Sequence, residues 1–167
     1  MDRGKIVTQA FLRLGNNNVY NDNKTTEYEV ATAMIDSISL SLAAETSFLF
    51  NAITVKINAT GQNDLGENRF NLPVDCLNVI RANAKYRLEG EFIYSPETVL
   101  SIQYCRKLPL EEFPDNLYNL LVLALAKEMS VSFNAYNDRY QMITARYEEE
   151  KRNVLYQQGF SYEPWEE

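Results

Sequence analysis

The sequence contains no histidine among its 167 residues. Histidine is the usual general base near neutral pH, the commonest metal ligand and the middle member of Ser-His-Asp and Cys-His arrangements. Its absence excludes those mechanisms and leaves carboxylate-pair chemistry as the enzymatic alternative. Cysteine is scarce too, because Cys76 and Cys105 are the only two. Two cysteines far apart in sequence are no disulfide framework, so we expect free, reduced thiols in apolar strands.

The sequence also lacks an apolar run of about 18 residues, and residues 1–14 carry charges without a signal-peptide core. These absences predict a soluble protein made in the cytoplasm, with no membrane contact. Basic charge is limited, since 16 Lys and Arg stand against 23 Asp and Glu, for a formal net charge of -7. A protein that grips phosphates needs a surplus of cations, so tight nucleic-acid binding is not expected. An acidic surface does let a polyanion slide past, because like charges repel.

Apolar residues recur at helical spacing in several segments. We predict helices over residues 4–14, 27–45, 115–132 and 138–158. Gly15 predicts the end of the first helix, Thr26 and Glu29 form a capping box for the second, and Asp115 is the expected N-cap of the third. The second helix has Val30, Met34, Ile38 and Leu42, with their neighbours Ala31 and Ile35, along one face. The third is apolar nearly all round, which predicts burial in the core, against a neighbouring subunit, or both.

Between the second and third helices the hydrophobic period changes to two, as a half-buried strand requires. Ile53, Val55 and Ile57 alternate with polar residues there. We predict a small antiparallel β meander within residues 47–105, too short to be a domain by itself. The expected fold class is therefore α+β, an antiparallel bundle of about four helices with the β meander inserted between helices 2 and 3. It forms a single domain over residues 1–159.

Residues 59–68 hold almost no apolar side chain, which predicts an exposed loop. Gly61, Asp64 and Gly66 are the expected partner contacts in this loop. Asp64 and Glu67 lack the alternation of a calcium-binding loop, and no Lys follows the glycines as it would in a phosphate-binding loop. We expect a plain polar loop with no metal and no cofactor.

Three consecutive glutamates at positions 148–150 suggest carboxylate chemistry, because glycosidases use two carboxylates and hard cations use several. Adjacent positions on a helix point in different directions, and Lys151 and Arg152 follow directly. A solvated helix face is the better interpretation. We identify no catalytic residue and expect a protein that is not an enzyme.

Two sets of residues are predicted to contact other proteins. Residues 160–167 form a tail that cannot fold alone, and large aromatic side chains in such a tail are typical of a docking segment, the alternative being a frayed end. The expected docking residues are Phe160, Tyr162, Pro164 and Trp165. The expected subunit contacts are Leu117, Leu121, Leu125, Tyr140 and Tyr147.

Several segments resemble one known family in their order and spacing. They are Ala10 to Gly15, the run Asn71 to Arg81 with the sequence NLPVDCLNVIR, Tyr86, Glu89-Gly90, Ile93-Tyr94, Ile102 to Tyr104, Phe113-Pro114 and Tyr147-Glu148. Over residues 6–159 the chain resembles the tail tubular protein A family of short-tailed bacteriophages. The C-terminus carries no recognisable signature of that family, and the first loop is unusually rich in asparagine.

The resemblance implies a structural virion protein of the neck and tail region, assembled in the host cytoplasm. It would be a head-to-tail adaptor, or connector, whose copies form a dodecameric ring between the portal protein and the tail nozzle or tail tube protein. DNA would pass through the lumen of this homo-oligomeric ring without specific binding during ejection. Adaptors of this kind often stay monomeric until the portal offers a template.

Two alternatives remain open at this stage. One is another neck or tail ring protein of the same virion, which binding to purified portal protein would distinguish. The other is a virion-associated peptidoglycan hydrolase, which needs a glutamic acid in a cleft with a raised pKa.

Overall fold

The computed structural model describes residues 1–16 and 25–157. Their contacts divide into two compact units. The helical unit comprises, among the described residues, 1–16, 25–42 and 108–157, and the β unit comprises Ala43–Lys107. None of the helices within these described ranges is long and apolar enough to cross a membrane.

The four predicted helices are confirmed, with ends that agree to within about three residues. They are α1 (Arg3–Arg13), α2 (Thr26–Ala44), α3 (Tyr118–Ser132) and α4 (Tyr140–Gln157). Short 3-10 helices occupy Leu110–Glu112, Asp115–Leu117 and Asn134–Arg139.

Three predicted helix ends can be compared with the structure. Gly15 has a φ of +82°, the left-handed conformation expected of a glycine that stops a helix. The capping box at Thr26 is wrong by one residue, because the Thr25 hydroxyl accepts from the Tyr28 N–H at 3.2 Å. The N-cap at Asp115 is also wrong, since Asp115 follows Pro114 into a 3-10 turn and α3 begins beyond it without a side-chain cap.

The core of the helical unit is built around α3, against which α1 and α4 both pack. Its buried apolar side chains come from α1 (Ile6, Val7, Ala10, Phe11), α2 (Ala31, Ile35, Leu42), α3 (Leu120 to Ala126, Met129) and α4 (Ile143, Val154). Fully burying one such aliphatic side chain stabilises a fold by about 1.5–3 kcal/mol. Of the two predicted environments for the third helix, burial in the core is confirmed.

The β unit contains seven strands in two antiparallel sheets. They are β1 (Ala52–Asn58), β2 (Gly61–Gln62), β3 (Asn68–Asn71), β4 (Cys76–Ala82), β5 (Arg87–Glu89), β6 (Phe92–Ser95) and β7 (Val99–Arg106). One sheet has the order β1-β7-β4 and the other β2-β3-β6-β5. The predicted single meander is therefore wrong, because most neighbouring strands are not consecutive in the chain.

A hydrophobic cluster of the β unit draws residues from both sheets. Phe70 and Ile93 come from the four-stranded sheet, and Leu100, Ile102 and Tyr104 come from β7. The predicted alternation along β1 is confirmed, since its apolar residues are half-buried and pack against this cluster while Thr54, Lys56 and Asn58 are exposed. The β unit thus has a core of its own.

The coarse fold class is confirmed as mixed α and β, with four α-helices and antiparallel sheets in the described residues. The finer description, a four-helix bundle carrying one inserted meander, does not match. The single domain predicted over residues 1–159 stays a prediction, since two compact units need not fold separately.

Candidate assembly surfaces

Three predicted subunit contacts, one in the 3-10 helix Asp115–Leu117 and two on α3, are core residues. Leu117, Leu121 and Leu125 are 0 % exposed, so this structure offers none of them to a neighbouring subunit, which corrects that assignment. A helix that is apolar all round looks the same in sequence whichever protein covers it, and here its own chain does. Tyr140 is 38 % exposed, and the half-buried Tyr147 has its ring 4.9 Å from the Lys127 ammonium group.

α2 carries an exposed face that contains apolar residues beside the exposed Glu29 and Asp36. Its inward side buries Ala31, Ile35, Ser39 and Leu42. Its outward side presents Val30, Ala33, Ser37 and Leu40, at spacings of three, four and three residues. We call these four residues the α2 stripe. Val30 is 39 % exposed and Leu40 is 44 % exposed. Such a spacing is that of the seam between two packed helices.

The charge content of α2 sets this face apart. Asp36 is the only charged residue from position 30 to position 44. Its carboxylate is held by the Arg3 guanidinium at 2.6 Å. A helix at a protein surface ordinarily turns charged residues outward, so an outward face of Val, Ala, Ser and Leu favours a partner that covers it. The predicted apolar face of this helix shares only Val30 with the stripe, because Ala31, Ile35 and Leu42 are buried and Met34 and Ile38 are half-buried.

The outward side of α4 is the second candidate surface of the helical unit. It presents Met142, Ala145, Glu149, Arg152 and Tyr156, again at alternating spacings of three and four. We call these residues the α4 stripe. Tyr156 is 88 % exposed. The predicted solvated face of this helix is confirmed for Glu148, Glu149 and Arg152, whereas residues 150 and 151 are half-buried.

The predicted exposed loop at residues 59–68 contains a β-hairpin turn built on Asn63. The Asn63 side-chain oxygen accepts from the N–H groups of Leu65 at 3.0 Å and Glu67 at 2.9 Å. Its side-chain amide donates to the Glu67 carboxylate at 2.8 Å. Asp64 and Gly66 are exposed at this turn as predicted, but Gly61 lies half-buried in β2. The predicted plain polar loop is therefore a defined turn, held by the hydrogen bonds of Asn63.

An ion pair anchors this turn to the next hairpin. The Arg87 guanidinium donates to Glu67 at 2.8 Å and to Glu89 at 2.9 Å, and it lies 5.0 Å from the centre of the Tyr94 ring. These hydrogen bonds from Arg87 and Asn63 lower the pKa of Glu67. A glycosidase acid requires the opposite direction, so Glu67 is not a candidate for that role.

Two grooves could receive a ligand or a peptide. One, of about 590 Å³ on the helical unit, is lined by Asp2, Gly4, Lys5, Thr8, Gln9, Tyr28 and Tyr118. Among its described lining residues Asp2 is the one carboxylate, and it accepts from the Lys5 N–H at the start of α1. The other, of about 700 Å³ on the β unit, is mostly apolar around Leu72, Val74 and Phe92. The described lining of each groove contains one carboxylate, whereas glycoside hydrolysis uses a pair.

The two cysteines are free, as predicted. Burial, with the nearby Asp75 carboxylate, raises the pKa of Cys76 to about 11. Burial also raises the pKa of Cys105, which lies inside β7. Because the thiolate is the reactive form, both thiols are poor nucleophiles near neutral pH.

The predicted docking residues Phe160, Tyr162, Pro164 and Trp165 lie outside the described residues. Within residues 1–16 and 25–157, no three His, Cys, Asp or Glu side chains are grouped so that they could hold a metal ion. No family model matches the chain, and no curated protein matches it either.

Proposed function

We propose that the protein is a structural subunit of a phage virion, a head-to-tail adaptor that works as one copy in a ring between the portal protein and the tail nozzle. The observation that carries this proposal is the α2 stripe. An outward helix face with Val30 and Leu40 exposed, and with Asp36 as its only charge from position 30 to position 44, favours a partner that covers it. A ring provides that partner for every copy.

A closed ring makes a specific demand on the surface of its subunit. Its contacts are heterologous, so each copy must offer two different surfaces rather than one self-complementary patch. The helical unit has two separate outward stripes, one on α2 and one on α4. This supports a ring over a simple twofold dimer.

The proposal also draws on the sequence resemblance. In their order and spacing along the sequence, the segments from Ala10 to Tyr147 resemble the tail tubular protein A family, whose members are adaptors beneath the portal. The formal net charge of -7 suits a wall past which DNA slides without being held.

Negative-stain microscopy of the purified protein, alone and mixed with the portal protein of the same virus, tests the proposal. We expect single particles alone and rings seated on the portal in the mixture. Association with purified tail proteins but not with the portal would contradict the adaptor function and favour the alternative, another neck or tail ring protein. A lack of association with any of them would contradict ring assembly altogether.

A further inference from the structure

The groove of the β unit combines apolar side chains with a nearby cation. Leu72, Val74 and Leu77 contribute aliphatic side chains to its lining, and Phe92 contributes an aromatic ring. Val74 is fully exposed, so an apolar side chain meets solvent at this groove. The volume of about 700 Å³ is within the range of sites that take up a ligand, and it is enough for the large side chains of a short peptide segment.

Arg69 is the cation beside this groove. Its guanidinium carbon lies 5.0 Å from the centre of the Phe92 ring. No carboxylate of the described residues lies within 4.0 Å of this guanidinium, and its Nε is buried without a hydrogen-bond partner. The two terminal nitrogens are therefore the donors left for a ligand. Because stacking on Phe92 holds the guanidinium in place, Arg69 is suited to bind a carboxylate.

Arg87 differs from Arg69 in its partners. Both arginines are opposite Tyr94 in the register of the four-stranded sheet, one on each side of it. Arg87 already donates to Glu67 and Glu89. These two carboxylates would repel a ligand with many negative charges, such as a nucleic acid, whereas a single carboxylate needs only Arg69. The site therefore favours a peptide with one well-placed acidic residue.

We propose that this groove and Arg69 bind the C-terminal segment of the chain itself, with the Trp165 ring in the groove and the Glu163 carboxylate on Arg69. Residues 160–167 lie outside the described part of the chain, and they hold three aromatic and three acidic residues without a Lys or Arg. This composition complements an apolar groove with a cation beside it. The contact goes beyond the adaptor function and does not depend on ring formation.

The spacing of Glu163 and Trp165 fits the site. In an extended chain, residues two apart point to the same side and lie about 7 Å apart. Pro164, between them, disfavours a helical conformation at Glu163. Since Arg69 lies 5.0 Å from the Phe92 ring that lines the groove, one extended segment can reach both. Its carboxylate then binds the guanidinium while its indole ring packs in the groove.

Glu91 makes the charge of the occupant testable. It is the one carboxylate in the described lining of the groove. Glu91 is exposed and therefore screened by solvent, whereas the half-buried Arg69 is screened less, so we expect the attraction to Arg69 to be the larger effect. An acidic occupant is attracted by Arg69 and repelled by Glu91, and a basic occupant would respond in the opposite sense.

Binding of a labelled peptide with the sequence of residues 158–167 to the full chain tests the proposal. The chain carries Trp165→Ala, so that its own segment does not compete. We expect saturable binding by fluorescence anisotropy. Arg69→Gln or Val74→Glu should weaken it about tenfold, and Glu91→Gln should strengthen it about twofold.

Matched controls separate this contact from general charge effects and from loss of fold. Arg13→Gln removes an exposed arginine of the helical unit and should leave binding unchanged. In the peptide, Glu163→Gln should weaken binding about tenfold, and Glu167→Gln, the same change in charge, should weaken it less than about twofold. In the Arg69→Gln chain, Glu163→Gln should have no further effect, because both changes remove the same contact.

Several results would overturn the proposal. They are a lack of saturable binding, binding that ignores Arg69→Gln, and binding that Glu91→Gln weakens, since the last marks a basic occupant. A peptide that binds purified portal protein but not this chain would assign the segment to the portal. A ten-nucleotide single strand whose binding depends on Arg69 would assign the site to phosphate. None of these results requires rings, so each leaves the adaptor function to its own test.

Discussion

α2 and α3 are the two most apolar helices of the described chain, and they differ in what covers them. α3 lies in the middle of the helical unit, with α1 and α4 packed on it. α2 buries one side and leaves Val30, Ala33, Ser37 and Leu40 facing outward. Apolar content therefore identifies a helix that needs cover, but it does not say whether the cover comes from the same chain.

The largest expected effect is on assembly. Leu40→Glu places a charge on the α2 stripe at its more exposed apolar residue, and a buried charge without a partner is strongly unfavourable. We expect rings on the portal to be lost while the free energy of unfolding of the isolated protein changes by less than about 0.5 kcal/mol. Electron microscopy and urea denaturation measure the two quantities.

Leu65→Glu is the matched control for that change. Leu65 is 81 % exposed at the hairpin turn of the β unit, outside both stripes. The Leu65→Glu variant should therefore still form rings on the portal. Equal loss of rings from both variants would show that the α2 stripe has no special role.

The second prediction compares the same substitution in the two helices. Leu121→Ala in α3 removes a fully buried side chain and should lower the free energy of unfolding by about 2–5 kcal/mol. Leu40→Ala in α2 should cost less than about 1 kcal/mol in the isolated protein, because Leu40 is half in solvent already. Urea denaturation of both variants checks this. Comparable losses would mean that α2 is covered by its own chain.

A third prediction concerns how α2 begins. Thr25→Ala should lower the free energy of unfolding by about 1 kcal/mol, because the Thr25 hydroxyl accepts the Tyr28 N–H. Thr26→Ala, one residue later, should change it by less than about 0.5 kcal/mol. The reverse ranking in thermal or urea unfolding would restore the capping box centred on Thr26.

The smallest expected effect leaves the fold unchanged and concerns thiol reactivity. Since the pKa of Cys76 is raised to about 11, its reactive thiolate is scarce at neutral pH and increases as the pH rises toward that value. At pH 7.5, an exposed Ser37→Cys thiol should therefore react with a maleimide about a hundredfold faster than Cys76. Mass spectrometry of the labelled chain reads both rates. Equal rates would mean that Cys76 is more open to solvent than its place in β4 indicates.

Local patterns predicted the elements well. The 3.6-residue period located all four helices, the alternation of Ile53, Val55 and Ile57 located β1, and Gly15 marked a true helix end. These features depend on side chains close together in sequence. The capping error at Thr26 is a shift of one residue, because the neighbouring Thr25 hydroxyl accepts the backbone N–H instead. The error at Asp115 has another cause, since Asp115 lies in a 3-10 turn and α3 begins without a side-chain cap.

Long-range pairing was beyond the sequence pattern. β7 pairs with β1, from Ala52 opposite Cys105 to Asn58 opposite Val99, and it pairs with β4 on its other edge. Local turn sequences indicate only the hairpins that join consecutive strands, as Gly90 with its φ of +59° does between β5 and β6, which is why a meander was expected. The same limit applies to the surface, since Leu121 and Leu40 are both leucines in apolar helices and only packing tells them apart.

The central claim is that the α2 stripe joins copies of this chain into a ring on the portal, and the most direct measurement is negative-stain microscopy of portal mixed with the unmodified chain and with Leu40→Glu. We predict rings with the first and bare portals with the second, at equal folded fraction by circular dichroism. Rings with both proteins would contradict the role of α2, and bare portals with both would contradict the adaptor function itself.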